Sequence, residues 1–138
     1  MDKLRDALSK VPKGLFSLLT IAAILWLTLA PKPLGENPPP LFPGADKIAH
    51  GLMFGGLTAM MLLDWQRIHQ WDRVTIGMST LYATAVAIFG VFIECVQNMM
   101  GMGRGFEWWD IVADTVGAFV VALVWIPLQK IWLQNYGS

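Results

Sequence analysis

Four apolar runs, each near the length that crosses a bilayer, constrain this chain more than any other feature. Gly14 to Ala30 is rich in Leu, Ile and Ala. Asp46 to Leu63 is apolar beyond its first turn except for His50 and Thr58. Val74 to about Asn98 and Trp108 to Leu128 are longer still. Inside hydrocarbon every backbone N–H and C=O needs an internal partner, and a helix supplies one for each. At about 1.5 Å per residue the first run reaches about 25 Å, near the lower limit for crossing, and the others exceed it. The expected fold is all-α: an integral membrane bundle of about four transmembrane helices, over about 14–30, 46–63, 74–98 and 108–128, forming a single domain across 1–138.

Composition removes the soluble alternative. Hydrophobic residues make up 55% of the 138 and charged residues 14%, whereas soluble domains carry roughly 25% charged residues. Net charge is zero, so no basic face for nucleic acid is expected. The single cysteine, Cys95, rules out an intrachain disulfide and is expected to serve as a small buried hydrophobe. No zinc pattern, P-loop or dinucleotide fingerprint occurs. No metal site or cofactor is assigned at this level, and Ser9 and Ser79 have no base set beside them.

Lys3, Arg5, Lys10 and Lys13 precede the first run and imitate the basic start of a signal peptide. The run is long for a signal core, and Pro31-Lys32-Pro33 follows it in place of a small-x-small cleavage site, so it reads as a retained anchor. A proline-rich loop follows, through Pro43. The stretch Asp64 to Arg73 mixes charge with tryptophan and reads as a solvated loop, with the tryptophans as interfacial anchors. With the N-terminus inside, Lys3, Arg5, Lys10, Lys13, Arg67, Arg73 and Lys130 lie inside, against Lys32, Lys47 and Arg104 outside. Seven against three favours N-in and C-in.

That orientation gathers the unusual polar residues at the outer face. Asp46, an expected N-cap, stands with Lys47 and His50 at the outer end of the second run. Glu94 and Gln97 close the third, Arg104 and Glu107 lie in the loop, and Asp110 and Asp114 open the fourth. Asp46 and His50 are i and i+4, Glu94 and Gln97 are i and i+3, and Asp110 and Asp114 are i and i+4, so each set shares one helix face. A charge in the bilayer costs at least about 2.5 kcal/mol on insertion scales. Several at one depth predict a hydrated cavity there. His50, Glu94 and Asp110 are candidate acid–base groups for catalysis. Asp46, Lys47, Gln97, Arg104 and Asp114 are candidate ligand-binding residues, with Arg104 suited to a bidentate grip on phosphate or carboxylate. Glu94 and Asp110 alternatively suit a divalent cation. The plainer alternatives are a Glu94–Arg104 clamp, and Asp110 as an acid favoured by the helix dipole.

Asp46-Lys47-Ile48-Ala49-His50, then Glu94-Cys95-Val96-Gln97, then Arg104, then Asp110-Ile111-Val112-Ala113-Asp114-Thr115-Val116-Gly117 form an ordered set. The set resembles the VanZ-like family of small bacterial membrane proteins, whose pattern runs D-K-x-x-H, E-x-x-Q, an arginine and D-x-x-x-N-x-x-G. This chain departs at Asp114, where the family has asparagine. The resemblance implies a multi-pass protein of the bacterial cytoplasmic membrane, and for the founding member a link to glycopeptide (teicoplanin) resistance. The expected partners are membrane lipids and an anionic lipid-linked envelope precursor. A non-catalytic scaffold is the alternative, and a small proton-linked transporter a weaker one, since no inverted repeat shows.

Overall fold

The computed structural model describes residues 2–30, 44–101 and 107–133. They form five helices: α1 (Asp2–Ser9), α2 (Leu15–Leu29), α3 (Ala45–Ile68), α4 (Ile76–Met100) and α5 (Trp108–Leu133). The expected all-α membrane architecture is the one found. α3, α4 and α5 are long and apolar enough to cross a bilayer. α2, with 15 residues, reaches only about 22 Å, short of a hydrocarbon core of about 30 Å.

Contacts fix the directions. The first turns of α3 and α5 meet through Lys47 and Asp110, and their last turns through Gln66 and Gln129, so these two helices run parallel. α4 runs against them, since Glu94 near its end accepts from the Glu107 backbone N–H at the start of α5. α2 runs with α4, because Gln97 reaches the Thr28 carbonyl. The α3–α5 contact is close enough to require glycine. A Cβ on Gly117 would overlap the Gly51 carbonyl oxygen and stand 2.8 Å from its carbon, and one on Gly55 would stand 3.1 Å from the Gly117 oxygen. Small residues at membrane helix interfaces permit such approach. The core between the helices is Ile24, Phe54, Leu57, Ala83, Val86, Ile93, Ala118 and Ala122. Large apolar side chains such as Leu52, Leu81, Ile88 and Phe92 point outward, as a lipid-facing surface requires.

Several expectations need correction. α3 continues five residues past Leu63, because Asp64 and Arg67 face inward and satisfy each other at 2.7 Å. They are buried rather than part of a solvated loop; His69, Asp72 and Arg73 are exposed. Asp64 accepts from the Ser17 N–H at 2.8 Å and its hydroxyl at 2.7 Å, joining α2 to α3. Arg67 donates to the carbonyls of Leu8, Val11 and Pro12, and its guanidinium lies over the Phe16 ring. Helix α1 has no counterpart among the apolar runs; its Arg5 is buried, donates to the Trp132 carbonyl and lies over the Trp71 ring. α5 runs through Pro127 to Leu133, a break that membrane helices tolerate. Trp26, Trp108 and Trp109 are exposed as interfacial anchors would be, but Trp125 is buried against Leu62 and Val74 and meets Trp132 edge-on. Cys95 faces outward, because it follows Glu94 and the buried face of α4 belongs to Ile93, Glu94 and Gln97. The N-cap of α3 is Gly44 at φ 86°, so Asp46 sits within the first turn and caps nothing. The proline-rich segment 31–43 and Arg104 lie outside the described residues.

Candidate functional site

The ends of α3, α4 and α5 carry one polar cluster. α3 contributes Asp46, Lys47 and His50; the start of α5 contributes Glu107, Asp110 and Asp114; α4 contributes Glu94. Lys47 is the hub of the outer half. Its ammonium is 3.1 Å from Asp46 and contacts Glu107 and Asp110 more closely. The order of exposure follows depth: Asp46 and Glu107 are open, Lys47 is half-buried, and Asp110, His50, Glu94 and Asp114 are buried.

His50 is the hub of the inner half. Its Nδ1 stands 2.9 Å from Asp114 Oδ1, and its Nε2 faces Asp110 Oδ2 at 3.6 Å. The first is a hydrogen bond; the second is beyond hydrogen-bond reach. The ring is nearly parallel to Phe54 one turn further along α3, with centroids 6.3 Å apart. Phe54 in turn packs on Phe89 of α4, so the imidazole is held from below by the core. Asp114 fits between helices because α4 has Gly90 opposite it: a Cβ there would come within 2.8 Å of Asp114 Oδ2. That oxygen and Glu94 Oε1 are buried without a hydrogen-bond partner. Glu94 interacts electrostatically with both Asp110 and His50, and its other oxygen accepts the Glu107 N–H at 3.2 Å.

Of the residues singled out in the sequence, Asp46, Lys47, His50, Glu94, Asp110 and Asp114 therefore stand together. Gln97 does not join them. It lies one turn beyond Glu94 and donates to the Thr28 carbonyl at 2.6 Å, tying α4 to α2. One oxygen of Asp110, one of Asp46 and one nitrogen of His50 lie within 4.8 Å of one another, close enough to share a metal ion. Sequence reasoning set Glu107 beside Arg104 in the outer loop without giving it a role, and it overlooked Gly90. Gly90 precedes Glu94 by four residues on the same face of α4, which is the signal that marks it.

Beside the cluster runs an apolar groove of 620 Å³ between α3 and α5. Its lining includes Gly51, Leu52, Gly55, Ala113, Val116 and Gly117, and Lys47 stands at its polar end. The close glycine crossing produces this furrow, since backbone replaces side chains along its floor.

A family model described as VanZ/LLP1 matches residues 8–132. The chain belongs to the VanZ/LLP1 family. The match spans α2, α3, α4 and all but the last residue of α5, and it takes in every clustered polar residue, so the ordered elements from Asp46 to Gly117 fall within it. No curated protein and no solved structure matches the chain. In this VanZ/LLP1 member Asp114 is the group that bonds His50.

Proposed function

We propose that this VanZ/LLP1 protein binds a lipid-linked cell-envelope molecule at the outer face of a bacterial cytoplasmic membrane. The hydrocarbon chain lies in the α3–α5 groove and the phosphate- or carboxylate-bearing head meets Lys47, His50 and Asp110. The observation that carries this reading is the place of Lys47, which both ends the groove and holds the polar cluster. An amphiphile needs that continuity of an apolar furrow with a charged end. Buried acids in a membrane protein support function at that point, since each is costly to place there. The outer-face orientation rests on the lysine and arginine balance, with both termini cytoplasmic. We assign proton exchange with a bound head group to His50 and Asp110, with the buried Glu94 acting through them. Membership of the family supports an envelope role, with glycopeptide resistance as one way in which that role would be felt by the cell.

Gly56 lines the groove, and a Cβ there meets nothing within 4 Å. Gly56→Leu therefore fills the furrow without displacing a helix. Binding of a polyprenyl phosphate to the purified protein, followed by native mass spectrometry, is expected to weaken at least tenfold in Gly56→Leu and in Lys47→Ala. Full binding in Gly56→Leu removes the groove from the reading, and no binding in the wild type removes the reading.

A further inference from the structure

We propose that Asp46, His50 and Asp110 form a divalent transition-metal site, with Asp114 orienting the imidazole and Glu94 closing the buried side. A carboxylate that accepts from Nδ1–H fixes the proton on that nitrogen and leaves the Nε2 lone pair pointing the other way. Asp114 Oδ1 stands 2.9 Å from Nδ1, and with the proton on Nδ1 the Nε2 lone pair faces Asp110 Oδ2 at 3.6 Å. In the neutral ring two acceptors then face each other, and either a metal cation or a second proton on the imidazole must lie between them. A tetrahedral ion at about 2.1 Å from each holds its ligands about 3.4 Å apart, close to the observed separation. Asp46 offers the third ligand atom from the turn before His50.

Glu94 supplies an independent sign. It is fully buried, its Oε1 has no hydrogen-bond partner, and it interacts with both Asp110 and His50. A buried carboxylate oxygen without a donor is costly, and one beside a second carboxylate more so unless the two share a proton or a cation. Among the described residues the cluster holds the carboxylates Asp46, Glu94, Glu107, Asp110 and Asp114 against Lys47 and His50. A divalent ion is attracted by that excess of described carboxylates. Lys47 contacts two of the proposed ligand residues, Asp46 and Asp110, and so competes with the ion for them. One imidazole with carboxylates suits Zn²⁺ or Mn²⁺ better than Mg²⁺ or Ca²⁺, which favour oxygen alone. The coordination does not depend on the lipid reading; a bridge from the ion to a lipid phosphate does rest on it.

The test is calorimetric titration of the full chain, chelator-stripped in detergent without added lipid, with Zn²⁺, and electron paramagnetic resonance with Mn²⁺. One saturable equivalent is expected, with nitrogen hyperfine coupling from one imidazole. His50→Gln and Asp46→Asn are each expected to weaken binding at least tenfold, Lys47→Met to tighten it severalfold, and His69→Ala to leave it unchanged. Circular dichroism of each variant establishes that it is folded. Absence of saturable binding in the wild type, wild-type affinity in folded His50→Gln, or Mn²⁺ spectra without nitrogen coupling overturns the site. Metal binding that polyprenyl phosphate does not strengthen leaves the site standing and removes the phosphate bridge.

Discussion

The two polar ends of the bundle solve the burial of charge in opposite ways. At the end holding α1 and the last turns of α3 and α5, Asp64 and Arg67 are paired and their neighbours supply matching donors and acceptors. Gln129 meets both the N–H and the carbonyl of Val74 at 2.8 Å and accepts from Gln66, which also accepts from Trp132. At the other end acids outnumber bases among the described residues, buried carboxylate oxygens of Glu94 and Asp114 lack partners, and a groove opens beside them. The Asp64–Arg67 and Gln66–Gln129 networks tie helices together, although Trp125 Nε1 beside them is buried without a partner; at the other end it is carboxylate oxygens that are left without donors. The difference teaches that burial of charge alone does not mark a binding site. Balance does.

Breaking the satisfied end is expected to have the largest effect. Arg67→Ala leaves the buried Asp64 with only its Ser17 donors and no counter-charge, and frees the carbonyls of Leu8, Val11 and Pro12; loss of one partner of a buried pair costs about 3–5 kcal/mol. Thermal denaturation in detergent should show a large drop, and a variant as stable as the wild type would mean that this end is not the clamp. The glycine crossing comes next. Gly117→Ala drives a methyl into the Gly51 carbonyl, so α3 and α5 must separate at a cost of about 1–3 kcal/mol. An unchanged melting temperature would show that the crossing is looser than described. The smallest effect is expected at the other end. Asp114→Asn keeps an acceptor for His50 and removes one of several like charges, so stability should change by about 1 kcal/mol or less. A loss as large as that of Arg67→Ala would erase the contrast between the ends.

The apolar runs predict four of the five described helices and their order, because the bilayer demands length and apolarity before anything else. Their ends are less legible. Asp64 and Arg67 look like loop residues when read singly, and only their mutual contact lets α3 continue through them. Arg5 and α1 carry no apolar run to announce them. In the cluster, the spacing of Asp46 with His50 and of Asp110 with Asp114 places each pair on one face. Spacing cannot distinguish Gln97, which the α2 contact draws away from the others.

By itself the sequence determined that this is an all-α membrane protein of the VanZ/LLP1 family with its chemistry-bearing residues near three helix ends. Hydropathy and helical period are local properties, so they are readable along the chain. Which carboxylate meets which nitrogen was decided only by the tertiary structure. The pairing of His50 with Asp114, and the spacing of its other nitrogen from Asp110, depend on how closely α3, α4 and α5 approach. That approach is set by Gly51, Gly55, Gly90 and Gly117 acting across helices, and no single helix contains the information.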